Sequence, residues 1–450
     1  MRFKVLIFLL SIGSVCLGQT ALRGLEFEDD VYNSLPLKPS YFNPQSTFLL
    51  SAYSLKKYCP RVATQHSSNT GVAWAAVWYA RTMLEAIANG WKEPRIITQN
   101  SFSPVYNYKQ IVKDNTCSDK IKLTSLLESL RKDGSVLFSD FPEFCYDTIP
   151  TIATAKASLM PGYVRLFNTT DKKERKVDAL KRALQSNNPV IIGMMCPSSF
   201  NLALDFWQPR EKPEREQGGH ALCVVGYDDS KFGGAFEVVN SWGKSWGNEG
   251  FTWFRYEDFN NYVLYGFELL NTQSMLKPAK LRAQIDFNLS TGEPMTTKIK
   301  NTGYYKLDNI YPTGTQFKTV VKVNQNVFFY AVGFDQEWNN LEYYPNEKNG
   351  IYPWLEDDNK IIKLPVDGEF IELGPPAGKN YLCLIFSGQY LDIEDIKFKL
   401  KEGKGDFVQR YYSGATKNQG VVNWKEKAIE FEGDFHRSSL FIVVVEIDQS

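Results

Sequence analysis

The stretch from Gln217 to Phe259 reads QGGHALCVVGYDDSKFGGAFEVVNSWGKSWGNEGFTWFRYEDF and has the pattern of a β-meander. The apolar run Ala221–Gly226 has strand composition, and the polar residues Asp228–Ser230 form a turn after it. Phe236–Val239 supplies the returning strand and Gly250–Phe254 a third one. This stretch therefore predicts a small antiparallel sheet.

Two polar residues stand at the ends of these predicted strands. His220 opens the first strand, and Asn240 follows the second, twenty residues further along the chain. A hairpin between the strands could bring the two side chains together. An amide beside a histidine fixes the tautomer of the imidazole and leaves its other nitrogen free to take a proton from a nucleophile. The spacing thus indicates one half of a catalytic site.

The same stretch resembles the His/Asn half of the papain family of cysteine peptidases. The resemblance rests on four short motifs, which are Gly219-His220-Ala221, Asn240-Ser241-Trp242-Gly243, Trp246-Gly247 and Glu249-Gly250. An ordinary antiparallel sheet with a buried His and Asn is the alternative interpretation. The number of matching positions at family spacing favours the papain family.

A second segment is similar to the nucleophile loop of the family in its bacterial, secreted relatives. There a Gln is followed six residues later by the catalytic Cys, at the start of a long helix. The segment Gln65–Ala75 reads QHSSNTGVAWA and matches at the Gln, the Val and the Trp-Ala, but position 71 is Gly. Alignment on Trp74 instead would place Ala73 at the nucleophile position. The nucleophile is missing in both alignments.

The resemblance implies an α+β, papain-like two-lobe fold over residues 49–272, with a helical left lobe and an antiparallel β right lobe. The pattern of Val72–Ala88 predicts the buried central helix of the left lobe. The implied site consists of the oxyanion donors Gln65 and Gly71, the pair His220 and Asn240, and the binding residues Trp242, which shields that pair from water, and Gly219.

Six cysteines follow the first 18 residues, namely Cys59, Cys117, Cys145, Cys196, Cys223 and Cys383. In an oxidising compartment some of them could pair, although the sequence does not fix the connectivity. Related bacterial proteins carry cysteines in similar loops, so the resemblance favours a Cys117–Cys145 disulfide. Cys223 lies on an apolar strand and Cys59 would need a rearranged site, so neither is a good replacement nucleophile.

Hydroxyl groups near the missing cysteine offer another source of a nucleophile. Ser67, Ser68 and Thr70 lie in the same loop. A hydroxyl is a poorer nucleophile than a thiolate at neutral pH, and its position would be shifted by at least one residue. The sequence therefore favours a catalytically inactive protein, and the label cysteine-peptidase-like describes its descent better than its chemistry.

The N-terminal sequence MRFKVLIFLLSIGSVCLGQ predicts a signal peptide over residues 1–18. Its apolar run is too short to span a bilayer, and no other segment is long and apolar enough for a transmembrane helix. Lipidation at Cys16 is an alternative that Val15 disfavours. We expect an exported protein, either secreted or in the periplasm or cell envelope.

Composition excludes several classes of partner. The 51 acidic and 51 basic residues are well mixed, which argues against nucleic acid or an anionic membrane as a partner. The three histidines are not at metal-binding spacing, and there is no phosphate-binding glycine motif, so we expect no metal and no cofactor.

The remaining organisation is read from composition and periodicity. We predict an extended N-terminal arm at 19–48, a loop at Ile97–Tyr106, a loop at Ser198–Gln217 that could overhang the cleft or be solvated, and a polar linker at 273–281. The pattern of strands and turns over residues 282–450 predicts a β-sandwich with one or two helices. Within it we predict a hairpin at Phe317–Phe334 and a short helix at Phe407–Tyr412. This part loosely resembles an uncharacterised β-domain of bacterial secreted proteins.

Three functions remain open at this point. The first is an inactive papain-family protein that binds a peptide or another protein in its cleft. The second is an active peptidase with an unorthodox nucleophile. The third makes the papain-like part a scaffold, with the C-terminal domain attaching the protein to the cell envelope or to a partner.

Overall fold

Helices are concentrated before residue 133, and strands predominate after it. The computed structural model describes residues 23–38, 49–113, 116–141, 145, 160, 162–270, 279–301, 303–337, 342–344, 353–355, 361–365, 369–388, 390–391, 393–405, 422–424, 428–436 and 439–450. The helices are α1 Asp29–Ser34, α2 (Gly71–Ala73, Trp74–Arg81 and Thr82–Asn89 in succession), α3 Pro94–Gln99, α4 Pro104–Ile111, α5 Leu123–Lys132, α6 Lys173–Gln185, α7 Tyr256–Tyr262 and α8 Ile393–Glu402.

The strands up to residue 270 build one antiparallel sheet. They are β1 Ala52–Ser54, β2 Tyr163–Arg165, β3 Val190–Met195, β4 Gly219–Asp228, β5 Ala235–Val239, β6 Phe251–Arg255 and β7 Val263–Leu269. Their order is β2-β7-β3-β4-β5-β6, with β1 added on β4. The β-meander predicted from Gln217–Phe259 is present as β4, β5 and β6.

The central helix α2 packs against strands β3 and β4 of this sheet. Its residues from Gly71 to Arg81 are all buried, and small alanines alternate with Trp74, Trp78 and Tyr79. Small residues let a helix approach its neighbours closely, while the large rings fill the core between the lobes. The stretch Trp74–Arg81 has π-helical hydrogen bonding, a local widening that often lies near functional sites.

The loop predicted at Ile97–Tyr106 is present only at residues 100–103, because helices α3 and α4 occupy its two ends. Both α3 and α4 begin with a proline, at Pro94 and Pro104, and the Ser103 side chain accepts a hydrogen bond from the Tyr106 N–H. Proline is favoured at the first helical position, and serine is a strong N-cap. The residues that suggested a loop are therefore helix-start signals.

The N-terminal arm is also more ordered than the sequence suggests. Helix α1 replaces the extended chain over part of it, and Tyr32 is fully buried among Phe167, Tyr265 and Phe267. The Tyr32 hydroxyl donates to the Phe167 carbonyl at 2.7 Å. A large aromatic side chain with a satisfied hydroxyl anchors the arm in the core.

Two further sheets pack face to face after residue 278. Their strands are β8 Ala279–Leu289, β9 Thr297–Asn301, β10 Tyr304–Tyr311, β11 Gln316–Val323, β12 Val327–Asp335, β13 Glu342–Tyr344, β14 Trp354–Leu355, β15 Ile361–Leu364, β16 Ile371–Glu372, β17 Gly378–Ser387, β18 Val422–Trp424, β19 Ile429–Phe435 and β20 Leu440–Gln449. One sheet has the order β13-β12-β17-β20-β10-β9, with β14 on β12. The other has the order β15-β11-β8-β19-β18, with β16 on β11. A shared apolar core lies between them, so the predicted α+β architecture with a C-terminal β-sandwich is confirmed.

The hairpin predicted at Phe317–Phe334 is wrong in its pairing. Strands β11 and β12 both form, but β11 pairs with β8 in one sheet and β12 pairs with β17 in the other. The turn between them is fixed by Asn324, whose side chain donates to the Lys280 carbonyl at 2.9 Å and accepts from the Arg282 N–H at 2.8 Å. The chain therefore crosses from one sheet to the other instead of folding back.

Several expectations lie outside the described residues. These are the signal peptide at 1–18, most of the linker at 273–281 and the helix at Phe407–Tyr412. The first strand of the sandwich begins at Ala279, within the predicted linker. Within the described part of the chain, we find no helix with the length and apolar character needed to cross a membrane.

Candidate active site

The pairing of His220 with Asn240 is the centre of the site. His220 is the second residue of β4, and Asn240 directly follows β5, its antiparallel neighbour. The His220 Nε2 and Asn240 Oδ1 atoms are 2.8 Å apart, and both residues are buried. Asn240 Oδ1 also accepts the Ser241 N–H at 2.7 Å. Because a carbonyl oxygen only accepts, Nε2 carries the proton in the neutral imidazole and Nδ1 carries the free lone pair.

The free nitrogen of His220 has no partner. Nδ1 is buried, and no hydrogen-bond donor reaches it from the described part of the chain. Burial lowers the pKa of His220 to about 4, so the ring is neutral at pH 7. Trp242 stacks against it with ring centroids 4.7 Å apart, as expected for a residue that shields the pair. His220 is thus a neutral base whose free nitrogen has no hydrogen-bond donor among the described residues.

Gly71 lies beside that nitrogen, at the start of α2. A Cβ added to Gly71 would stand 2.9 Å from His220 Cε1, 3.2 Å from His220 Nδ1 and 2.8 Å from Gln65 Oε1. The first and last of these separations are too short for any real side chain without movement of a neighbour. The imidazole therefore occupies space that a residue larger than glycine at position 71 would need.

Gln65 lies next to Gly71 but has other hydrogen-bond partners. Its Nε2 donates to the Ser68 carbonyl at 2.7 Å, and its Oε1 accepts from the Ser241 hydroxyl at 2.7 Å. An oxyanion donor must direct an N–H at the position where negative charge develops. The structure brings Gln65 beside Gly71, with one of the two N–H bonds of its amide donated to its own loop.

Two of the loop hydroxyls considered as nucleophiles, those of Ser68 and Thr70, have hydrogen-bond partners within the loop and at Trp74. Thr70 Oγ1 accepts from Trp74 Nε1 at 3.1 Å and lies 2.6 Å from Ser68 Oγ. Ser68 Oγ in turn donates to the Gln65 carbonyl at 2.6 Å. The thiols of Cys59 and Cys223 are buried, and burial raises the pKa of each. None of these groups is hydrogen-bonded to His220 Nδ1.

Three further contacts link other parts of the chain to the site. Cys117 and Cys145 form a disulfide, the pairing that the resemblance favours, with Cα atoms 5.7 Å apart. The Cys117 carbonyl accepts the N–H of Asn69, which ties the disulfide to the loop ahead of Gly71. Phe200, in the loop after β3, packs on Trp242 with ring centroids 5.5 Å apart. Gly219 is covered by Leu25 of the N-terminal arm, a contact that the sequence does not indicate.

Comparison with known proteins supports the family resemblance. Residues 147–266 match the model of the papain family cysteine proteases, and this range contains His220 and Asn240 but not Gln65 or Gly71. An uncharacterized peptidase C1-like protein of Acanthamoeba polyphaga mimivirus is 26% identical over 185 residues, which cover 37% of this chain and 58% of that protein. Cathepsin K of Mus musculus is 34% identical over 100 residues, covering 22% of this chain and 29% of its own. The chain thus spans less than two thirds of these relatives.

Solved structures of similar proteins cover about half of this chain. Digestive procathepsin L2 of Tenebrio molitor has a TM-score of 0.46 and 18% identity, and the match covers 56% of this chain and 78% of that one. Xylellain, a cysteine protease from Xylella fastidiosa, has a TM-score of 0.40 and 18% identity, with 53% and 96% covered.

Proposed function

We propose that this chain, which contains a papain-family domain with its sequence match at residues 147–266, is an exported, catalytically inactive member of that family that binds a peptide or protein in its cleft. The observation that carries this proposal is the contact between the His220 ring and Gly71. No hydrogen-bond partner from the described residues reaches Nδ1 of the base, and Gly71, at the position of the attacking group, has no side chain.

The size of the expected catalytic loss supports inactivity. In a comparable serine-protease series, removal of the nucleophile costs about 10⁶ in turnover, and a rate about 10³ to 10⁴ above that in water remains through binding and the oxyanion hole. Peptide hydrolysis at the residual rate is negligible.

The walls of the cleft support a binding role. Backbone groups of Gly219, on β4, and of Ile121, just before α5, hydrogen-bond an extended segment of the chain itself. Main-chain pairing of this kind gives affinity for an extended peptide without any chemistry. A site that can pair with a peptide backbone but has no nucleophile is suited to binding a peptide rather than hydrolysing it.

The test is a paired assay of the purified protein and its His220→Ala variant on a mixed peptide library. We expect no cleavage product above the level given by His220→Ala when both are analysed by mass spectrometry, together with peptides retained by the protein. Turnover that His220→Ala abolishes would instead establish an active peptidase with an unorthodox nucleophile. Absence of both turnover and retention would direct attention to the scaffold alternative and to residues 282–450.

A further inference from the structure

Residues 203–207, called the edge segment below, extend the sheet of the papain-like domain beyond β6. The Trp253 N–H, on β6, donates to the Asp205 carbonyl at 2.9 Å, and the Trp207 N–H donates to the Trp253 carbonyl at 3.1 Å. Phe206 thereby pairs with Trp253 in parallel orientation. Because β6 is the last strand of the sheet, the edge segment lies along its outer side.

The backbone groups of Leu204 and Phe206 face away from β6. The N–H and C=O groups of a strand alternate between its two edges, and those of Asp205 and Trp207 are the ones that bond Trp253. No described residue makes a backbone hydrogen bond with Leu204 or Phe206. An edge with unpaired N–H and C=O groups can pair with another extended chain.

The edge segment also presents apolar side chains to solvent. Leu204 is 71% exposed, and Leu202, just before the segment, is 72% exposed. Phe206 stacks on Phe232 with ring centroids 4.2 Å apart, and Phe232 is itself 42% exposed. Adjacent exposed apolar side chains, unlike isolated ones, mark interaction surfaces.

Phe232 reaches this stack from a strained backbone position. Its φ of 52° lies in the left-handed region, which a bulky residue rarely adopts. Strained residues concentrate at sites that bind ligands or partners. The backbone of Phe232 thus points to the same surface as the exposure of its ring.

A cation lies on the same face as the apolar side chains. Lys231 Nζ is 4.1 Å from the ring centroid of Trp253, and side chains of paired residues such as Trp253 and Phe206 share one face of a sheet. Arg255, further along β6, is paired with Asp258 at 2.6 Å, whereas Lys231 forms no salt bridge with any described residue. The ammonium group of Lys231 therefore favours a carboxylate in a chain that binds here.

We propose that the edge segment is a docking site for an extended segment of a partner protein that carries an acidic residue between two apolar residues on one face. The partner segment pairs with the outward N–H and C=O groups of Leu204 and Phe206. Its apolar side chains contact Leu204 and the stack of Phe206 on Phe232, and its carboxylate meets Lys231. The inference goes beyond the binding proposed for the cleft, because none of these residues belongs to the site around His220.

The test measures binding of a short peptide by the full chain. The probe is the fluorescein-labelled peptide Thr-Val-Thr-Glu-Thr-Val-Thr, in which the Val, Glu and Val side chains share one face of a strand, and binding is followed by anisotropy. The comparison peptide has Lys in place of Glu. We expect the wild type to bind the Glu peptide about tenfold more tightly than the Lys peptide.

Two variants with the same chemical change separate the edge segment from the rest of the surface. Leu204→Glu places a negative charge at the apolar contact and should weaken binding of the Glu peptide by at least about tenfold. Ile310→Glu, at an isoleucine of β10 that is 64% exposed, is the matched control and should bind the peptide as the wild type does. Equal urea midpoints of the variants and the wild type verify that each one is folded.

Lys231→Glu tests the charge separately. If the carboxylate of the peptide meets Lys231, this variant should reverse the preference and bind the Lys peptide more tightly than the Glu peptide. A purely structural role of Lys231 over the Trp253 ring produces no such reversal.

Three results would overturn the proposal. The first is that the wild type binds neither peptide. The second is equal affinity of the wild type and Leu204→Glu for the Glu peptide, which places the peptide elsewhere and leaves the function proposed for the cleft standing. The third is a wild-type dimer in sedimentation velocity that Leu204→Glu converts to a monomer, which shows that a second copy of this chain occupies the edge.

Discussion

Replacement of Gly71 by alanine tests the contact that defines the site. The added Cβ lies 2.9 Å from His220 Cε1 and 2.8 Å from Gln65 Oε1, so the ring or the amide must move. Overpacking of this kind costs about 1–3 kcal/mol. The same change removes about 0.4–1 kcal/mol of unfolded-state entropy cost, because alanine is less free than glycine in the unfolded chain. The net expectation is a loss of about 1 kcal/mol in the free energy of unfolding.

Urea unfolding followed by tryptophan fluorescence measures this change. In the control variant Gly374→Ala, no atom of the described residues lies within 4 Å of the added carbon, so the midpoint should stay unchanged or rise slightly. In a His220→Ala background, where the ring is absent, Gly71→Ala should lose most of its cost, and the double-mutant cycle gives the coupling between the two positions. If Gly71→Ala raises the midpoint equally with and without the ring, the space is free and the reasoning about the site is wrong.

Three further predictions follow from the site and its surroundings. The pKa of His220 is about 4 in the folded protein against 6.5 for the free side chain, so on acidification the unfolded chain binds a proton first. The free energy of unfolding should therefore fall by about 3 kcal/mol between pH 6.5 and pH 4. Urea titrations at several pH values should show that His220→Phe loses this pH-dependent part of the stability, whereas the His66→Gln control keeps it. In Gly71→Cys, the new thiol faces His220 Nδ1 and should react with iodoacetamide about tenfold faster than in Gly71→Cys/His220→Ala; equal rates would show that residue 71 does not face the base. Replacing both Cys117 and Cys145 by serine opens a loop with a sequence separation of 28, which corresponds to a loss of about 3.5 kcal/mol; an unchanged unfolding midpoint would mean that the bridge adds no stability.

The sequence predicts much of the sheet side of the site and less of its surroundings. His220 and Asn240 are found because strand periodicity and a short turn dictate which residues meet at the end of a hairpin. The position of the imidazole against Gly71 and the orientation of the Gln65 amide depend on three-dimensional packing. The spacing of residues along the sequence determines neither the imidazole position nor the amide orientation.

Two structural elements escape prediction for related reasons. The segment Gly24–Glu26 is held by backbone hydrogen bonds to Gly219 and Ile121, and backbone groups are the same in every sequence. Likewise, alternation of apolar residues identifies β11 and β12 as strands but carries no information about their partners. Long-range pairing is thus the part of this fold that local patterns leave open.

The contact between the imidazole and Gly71 also has an evolutionary consequence. A mutation that places cysteine at position 71 brings its Cβ to 2.9 Å from His220 Cε1 and is therefore expected to lower stability. Proteins tolerate only small losses before they fall below the stability that function requires. If the chain is inactive as proposed, a gain of peptidase activity would need at least one further change that moves the ring, because packing as well as the missing sulfur opposes it.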